Sequence, residues 1–470
     1  MKIALLVSNR GFFPSSVIES AYDDMQNALK KVNIDCLTID KQSVKYGAVE
    51  TTQDGFVFAS FLREHRGEFD GLVICLPNFG DENGIKAAIA EVDVPILLQA
   101  YPDEIGKMDF EHRRDAFCGK FALTSVLTQM GTKYTAYTPF TVHPSSREFS
   151  EQLEKFAGVC RIVKRMKRMR LGAVGARTTA FKSVRYDECA LERHGIDVEA
   201  YDLSSVFRQM KDFNDDSPQV REWLAVLHDA ASFDKVPSGR DVKLARLGSV
   251  LDKMIKENAL DAIAIRCWSE LQQELGISPC AVMGLFNQKG IPAICETDVT
   301  NAIPMFGLSL AAGRSSGCLD INNNYGDDLD KCILFHCGPL PLDLMEAGGE
   351  IQGHKMLNKS FGEGCSWGLN VGKVKKGDVT YSGGRTADGD ICYYVDTGTI
   401  TGDPVEEAFF GISCVLQTDS MQRKLNAISR AGFRHHTVFT LGKVEDVVAE
   451  TFTNYLGYKR YSLLDFKKPE

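Results

Sequence analysis

Three residues that can bind a divalent cation follow apolar, strand-like runs in the middle of the chain. Glu296 comes directly after IPAIC, Asp320 follows SSGCL, and His336 ends the run KCILF. Ligands of an open α/β sheet bind at the carboxyl ends of its strands. Because two carboxylates and an imidazole suit a cation such as Mn²⁺, this spacing favours a metal site at three consecutive strand ends.

A pair of histidines near the C-terminus offers a fourth ligand. His435 and His436 lie in GFRHHTVFTLG, before a β-branched run that we expect to enter a strand, and either of them can be the ligand. Each earlier residue also has a simpler interpretation. Glu296 can be the charge at a helix N-terminus, Asp320 a turn residue and His336 a buried core histidine.

Other catalytic signatures are missing from the sequence. It contains neither a GxxxxGK[ST] phosphate loop nor a GxSxG nucleophile motif, and LGAVGAR lacks the three-glycine dinucleotide pattern. Its 14 cysteines form no CxxC pair and no zinc-finger spacing. We therefore expect free thiols in a reducing compartment rather than a disulfide framework.

Composition and charge are those of an ordinary soluble protein. The chain has 470 residues, of which 44% are hydrophobic and 25% charged, close to the usual globular values. Its 54 basic and 63 acidic residues give a net charge of -9, which argues against nucleic-acid binding through phosphates. Since no apolar run approaches the length of a membrane span, we predict a cytoplasmic protein without membrane segments.

Apolar runs alternate with helical patterns over the first two thirds of the chain. The clearest runs are Ile3–Val7, Leu72–Leu76, Val198–Tyr201, Asp261–Ile265 and Ile291–Cys295. This alternation predicts βαβ units, and hence an α/β fold with two doubly wound parallel-sheet domains. After about residue 330 the sequence becomes rich in Gly, Thr, Val and Tyr, and ADGD is a hairpin signal.

The predicted organisation therefore has three parts. Residues 1–165 form an N-terminal α/β domain, and residues 166–330 form a central α/β domain that carries metal ligands. Residues 331–470 form a β-rich C-terminal domain that completes the active site, with helices near 420–430 and 444–455.

Five segments, taken in order, resemble the L-fucose isomerase and L-arabinose isomerase superfamily of sugar isomerases. They are RRDAFCGKFALTSVLTQMG, RLGAVGARTTAFKSVRYDE, AIRCWSELQQELGISPC with GIPAICETDVTNAIPM, HCGPLP and HHTVF. The resemblance implies a metal-dependent aldose–ketose isomerase that acts on a free monosaccharide through a cis-enediol. The implied cofactor is Mn²⁺ or another divalent cation such as Co²⁺ or Mg²⁺.

The resemblance also implies roles for the candidate residues. Glu296 and Asp320 match the acidic metal ligands, which also transfer protons, and His436 matches the late histidine ligand. His336 matches a histidine that ligates the metal in the arabinose isomerase branch, but whether it touches the cation here stays open. His435, beside the ligand, would bind a sugar hydroxyl.

Substrate contacts are predicted from three further residues. Trp268 follows the strand-like run 261–265 and offers an apolar face to a sugar, although it can equally be a core aromatic, and Arg266 lies close to it. Arg10 follows the first strand, where an ordinary surface arginine is the simpler interpretation. The resemblance implies that it reaches a neighbouring subunit's site in a homotrimer or homohexamer with shared active sites. The resemblance makes fucose and arabinose candidate substrates. Because Arg10, Arg266 and Arg434 can bind an anion, a sulfonated hexose such as sulfoquinovose is a candidate as well.

Two other functions are compatible with this sequence. A non-catalytic sugar-binding protein can share the alternating α/β pattern, but it would not need two acids and two histidines to converge. Another metal-dependent sugar enzyme, an epimerase or an aldolase, would use similar ligands.

Overall fold

The chain divides into two compact units, Met1–Lys164 and Arg165–Glu470. The structure is a computed structural model that describes residues 1–406 and 408–464. The elements of the first unit are β1 (Lys2–Val7), α1 (Ser16–Lys31), β2 (Asp35–Thr38), α2 (Thr52–Glu64), β3 (Gly71–Leu76), α3 (Glu82–Ala88), β4 (Ile96–Ala100), α4 (Ala116–Gln129) and α5 (Arg147–Met166), the last of which runs into the second unit.

The four strands of the first unit form a parallel sheet in the order β2-β1-β3-β4. Strand β3 is buried along its whole length, as expected where helices cover both faces of a parallel sheet. Helix α2 begins at a capping box in which Thr51 and Asp54 satisfy each other's backbone N–H groups. The predicted parallel sheet of this part is confirmed.

A second parallel sheet opens the second unit. Its elements are β5 (Met169–Val174), α6 (Glu188–Arg193), β6 (Ile196–Tyr201), α7 (Leu203–Asp212), α8 (Pro218–Ala230), β7 (Ala231–Ser232), α9 (Arg240–Asn258), β8 (Ala262–Ile265), α10 (Glu270–Leu275), α11 (Cys280–Gln288), β9 (Ala293–Cys295) and α12 (Val299–Ala312). The sheet order is β6-β5-β8-β9, and all pairs are parallel. The carboxyl ends of these four strands lie at one edge, where the loops after β5, β8 and β9 begin.

A large β-rich sheet follows in the same unit. Its elements are β10 (Gly317–Tyr325), β11 (Asp328–His336), β12 (Gly349–Gly353), α13 (Lys355–Phe361), β13 (Trp367–Lys373), β14 (Gly377–Ala387), β15 (Asp390–Ile400), β16 (Ile412–Gln417), α14 (Met421–Arg430), β17 (His436–Leu441), α15 (Glu445–Ala449) and β18 (Lys459–Arg460). The order is β18-β15-β14-β17-β10-β11-β16-β13-β12-β7, and β15 also pairs with β16. That extra pairing closes six strands into a ring. The apolar core of this part includes Leu319, Tyr381 and Phe439.

The β-rich part of the chain is confirmed, but its first hairpin was not predicted. Strands β10 and β11 pair in an antiparallel hairpin. The hairpin begins at Gly317, before the change in amino-acid composition near residue 330. The expectation that Asp320 and His336 end strands of the α/β sheet is therefore wrong: both strands belong to the β-rich sheet, and although His336 ends its strand, Asp320 does not. That residue lies inside β10, between β11 and β17, because strand pairing overrides the turn preference of the Asn run that follows it.

The division into three domains stays a prediction. No helix within the described ranges is long and apolar enough to cross a membrane. All fourteen cysteines are free thiols.

Candidate functional site

Ligand-type side chains from the two sheets of the second unit meet at one place. Glu296 follows β9 at the carboxyl edge of the parallel sheet, whereas the others come from three neighbouring strands of the β-rich sheet. Asp320 lies in β10 directly opposite His436, the first residue of β17. His336 is the last residue of β11. The sequence therefore identified residues that converge, although two sheets rather than one position them.

The distances within this cluster are those of a potential metal site. Glu296 Oε2 lies 3.2 Å from His436 Nε2, and Asp320 Oδ1 lies 3.5 Å from the same nitrogen. Ligand atoms of Asp320, His336 and His436 lie within 4.8 Å of one another, and so do those of Glu296, His435 and His436. The two groups share His436, which stands at the centre of the cluster.

Four buried atoms in the cluster lack a hydrogen-bond partner in the part of the chain that the structure describes. Glu296 Oε2, Asp320 Oδ1, His336 Nε2 and His436 Nε2 have no hydrogen-bond partner among the described residues. A buried polar atom without a partner costs about 1–3 kcal/mol, so four of them at one place call for a ligand. Two carboxylates with an imidazole are a donor set for Mn²⁺ or a similar divalent cation. The residues present therefore fit the metal that the family resemblance implies.

A sharp turn presents Glu296 to the cluster. Glu296 and Thr297 both have left-handed backbone angles, with φ of 62° and 59°, a conformation that costs residues with a Cβ roughly 1–2 kcal/mol each. The Thr297 N–H donates to the carbonyl of Ile265 at 3.1 Å, and Asp298 then caps helix α12. Backbone strain of this kind persists where surrounding contacts fix it, and it is concentrated at active sites.

A buried ion pair supports His436 from the side opposite to the cluster. His436 Nδ1 donates to Asp298 Oδ2 at 2.7 Å, and Asp298 also forms an ion pair with Arg434. Burial alone would raise the pKa of Asp298, but Arg434 and His436 lower that pKa to about 2. Asn301 donates a further hydrogen bond to Asp298 at 2.7 Å. A carboxylate that accepts from Nδ1 leaves Nε2 of the neutral ring with its lone pair towards the cluster.

The other charges in the cluster are strongly coupled. Burial raises the pKa of Glu296, but His436, His336 and Trp268 outweigh it and lower that pKa on balance. Burial likewise lowers the pKa of His436, yet Asp298 and Glu296 help to raise it well above the ordinary range. Glu296 is therefore ionised near neutral pH. A cation at His436 must compete with a proton.

An aromatic wall lies beside these ligands. Trp268 Nε1 donates to Glu296 Oε1 at 3.3 Å, and Phe181 packs edge-on against Trp268 with ring centres 5.3 Å apart. Phe181 also stacks on His435 at 6.0 Å, and the side chain of His435 is 38% exposed. Such apolar faces suit the C–H surface of a sugar. Phe181 was not predicted, because nothing in its own segment distinguishes it from a core residue.

Comparisons with known proteins find similarity to sugar isomerases. Residues 4–167 match the model of the N-terminal domain of fucose/sulfoquinovose isomerase. The sulfoquinovose isomerase of Alkalicoccus urumqiensis is 25% identical over 323 residues, which cover 67% of this chain and 70% of that protein. The chain is thus similar to proteins of the fucose isomerase superfamily. The sulfoquinovose isomerase of Priestia aryabhattai is a further relative, 23% identical over 314 residues that cover 66% of this chain and 68% of that protein.

These similarities confirm the predicted resemblance and the prediction of an isomerase enzyme. Among solved structures, an ABC transporter periplasmic solute binding protein from Actinobacillus succinogenes 130z with bound D-allose is 11% identical. The match covers 67% of this chain and 92% of that one, with a TM-score of 0.17. A score that low does not indicate a shared fold.

The arginines predicted to contact substrate are engaged in other contacts. Arg266 donates to Glu270 at 2.6 Å and to the carbonyl of Ala176 at 3.1 Å, and Arg434 is buried against Asp298. Arg10 belongs to the first unit, where it pairs with Glu82 at 2.8 Å. Both guanidinium groups of the second unit are thus neutralised by carboxylates. Sugar contacts of Arg10 and Arg266 stay predictions.

Proposed function

We propose that the protein is a metal-dependent aldose–ketose isomerase that acts on a sulfonated hexose, as the name of its sulfoquinovose isomerase relatives suggests. The observation that carries the metal dependence is the convergence of three buried ligand atoms, from Glu296, Asp320 and His436, that find no hydrogen-bond partner in the described part of the chain. Glu296, Asp320 and His436 would hold the cation, which we expect to be Mn²⁺.

The carboxylates of this site supply the proton transfers. In aldose–ketose isomerisation a base removes the proton from C2 of the open-chain aldose, and C1 of the resulting cis-enediol receives a proton. Glu296 is a carboxylate near neutral pH and can act as the base, and Asp320 lies on the neighbouring β-rich sheet as the second acid–base group. A bound cation would stabilise the negative charge that develops on the two sugar oxygens.

Removal of divalent cations should abolish isomerisation. We expect protein that has been treated with EDTA and desalted to produce no ketose from sulfoquinovose, and added Mn²⁺ to restore the rate, because the unpartnered ligand atoms then regain their charge partner. Ketose formation is followed by mass-resolved chromatography, which also separates a ketose from the products of an epimerase or an aldolase. Full activity in protein that elemental analysis shows to be free of metal would contradict the proposal.

A loop with several positively charged side chains supports an anionic substrate. It follows β5, comprises residues 175–187, and contains Phe181, which contacts Trp268 and His435. The loop also carries Arg177, Lys182 and Arg185, and its only acidic residue is the last one. The anion was expected instead at Arg10, Arg266 or Arg434. In the structure those arginines are paired, whereas Lys182 and Arg185 are exposed.

Replacement of the loop cations should weaken recognition of the sulfonate selectively. We expect Lys182→Gln and Arg185→Gln to raise the KM for a sulfonated hexose by about tenfold or more, since a hydrogen bond to a charged group contributes roughly 1.5–3 kcal/mol. Inhibition by the neutral parent hexose should not change. Lys211→Gln on α7, another exposed lysine, is the matched control. Equal losses for the charged and the neutral sugar would exclude a sulfonate contact at these residues.

The assembly and location of the protein stay predictions. We expect a closed homotrimer or homohexamer in the cytoplasm, with Arg10 reaching a neighbouring subunit's site. In the first unit the side chain of Phe12 is 80% exposed, which is unfavourable for an aromatic ring in water. Burial against a second copy would remove that cost.

A further inference from the structure

Nε2 of both His336 and His436 faces the ligand cluster, but their Nδ1 atoms form opposite kinds of hydrogen bond: one donates and the other accepts. His436 Nδ1 lies 2.7 Å from the buried carboxylate of Asp298, to which it donates. His336 Nδ1 instead accepts the backbone N–H of Cys337 at 2.8 Å. A backbone amide nitrogen can only donate, so the direction of this second bond is fixed.

The bond from Cys337 determines where the proton of His336 lies. A neutral imidazole has one N–H, and a ring nitrogen that accepts a hydrogen bond does not carry it. The proton of His336 is therefore on Nε2, the atom that faces the cluster, and a charged ring would carry a proton there as well. A protonated nitrogen has no lone pair to give to a cation. By the same reasoning, Nε2 of neutral His436 is free to bind one.

We propose that His336 donates a hydrogen bond from Nε2 to an oxygen of the bound sugar and does not ligate the metal, so that His436 is the histidine ligand. Nε2 of His336 is buried and has no partner among residues 1–406 and 408–464. It lies in one group with ligand atoms of Asp320 and His436, where a metal-bound sugar oxygen would be within reach. This role differs from the one that the resemblance to arabinose isomerase implies for His336.

The assignment of the ligands can be tested without activity. Calorimetric titration of the full chain with Mn²⁺ should give a Kd for His336→Leu within about tenfold of the unsubstituted protein, whereas His436→Leu should weaken binding by more than about 100-fold. If His336→Leu does not fold, as judged by circular dichroism, His336→Gln gives the same comparison. A loss of Mn²⁺ affinity in the His336 variant as large as that in the His436 variant would overturn the proposal.

The donor role rests on the proposed function and has its own measurement. The side-chain amide of Gln offers an N–H near the position of Nε2, so we expect kcat/KM for the sulfonated hexose to be at least about tenfold higher in His336→Gln than in His336→Leu, at equal Mn²⁺ affinity. Equal kcat/KM in the two variants would refute the donor. If unsubstituted, Mn²⁺-loaded protein isomerises no sulfonated hexose, the proposed function fails. The donor is then tested by the Kd of that sugar for the two variants, and equal Kd values refute it.

Discussion

Glu296→Gln will lower kcat for isomerisation by at least about 10²–10⁴-fold, the usual contribution of a positioned acid–base group. The amide keeps the size of the side chain and can still accept a hydrogen bond from Trp268, but it cannot remove a proton from carbon. It is also a weaker ligand, so Mn²⁺ affinity should fall in the same variant. Steady-state ketose formation and Mn²⁺ titration measure the two effects separately.

Glu270→Gln is the matched control for this prediction. Glu270 lies on α10, close in sequence to Trp268, and its carboxylate pairs with Arg266 outside the ligand cluster. We expect its replacement to change kcat by less than about threefold, since the Glu270 carboxylate pairs with Arg266 and with none of the clustered ligands. If Glu296→Gln retained the activity of Glu270→Gln, Glu296 could be neither the base nor an essential ligand.

Asp298→Asn will destabilise the second unit by about 3–5 kcal/mol, because it leaves the buried guanidinium of Arg434 without its counter-charge. The pKa of Asp298 is held at about 2 by Arg434 and His436 despite complete burial. The same change removes the acceptor that orients His436. We therefore expect Mn²⁺ affinity to fall by roughly 10–100-fold as well. Urea unfolding, with the slope of the transition checked, and Mn²⁺ titration are the measurements.

Two further variants separate loss of the buried pair from a general effect of substitution. Arg434→Met in the Asp298→Asn background should cost less than Arg434→Met alone, since the two groups interact directly and their effects are not additive. Asp252→Asn on α9 removes a surface ion pair with Lys256 and should cost less than about 1 kcal/mol. Additive losses at Asp298 and Arg434 would show that the pair does not stabilise the fold as described.

The position of Glu296 at the end of a strand was predictable from the sequence. An apolar strand of a parallel sheet is recognisable from its residues, and its carboxyl end is where ligands bind. Asp320 lies in the same cluster, although its expected position in the fold was wrong. The Asn-rich run after it is typical of a turn, yet residues 321–325 extend the strand because they pair with β11. Pairing with a distant segment decided the local structure, and a single sequence does not reveal that pairing.

Other parts of the site depend on contacts between residues far apart in the chain. Asp298 meets Arg434 and His436 across more than 130 residues of sequence, so nothing near Asp298 reveals its partners. The pairing of Arg266 with Glu270 depends on the path of the connection between β8 and α10, because Arg266 lies in that connection and only Glu270 is in the helix.

The register of β10 against β17 determines where residues can be inserted without disturbing the ligand cluster. Asp320 and His436 are opposite one another in a backbone ladder, so one inserted residue before either of them would turn its side chain to the other face of the sheet. Residues 175–187 lie in a connection outside any ladder, and doubling the length of a flexible loop costs only about 0.6 kcal/mol. Evolution or design can therefore exchange that loop to admit a different sugar while the reactive centre is inherited intact.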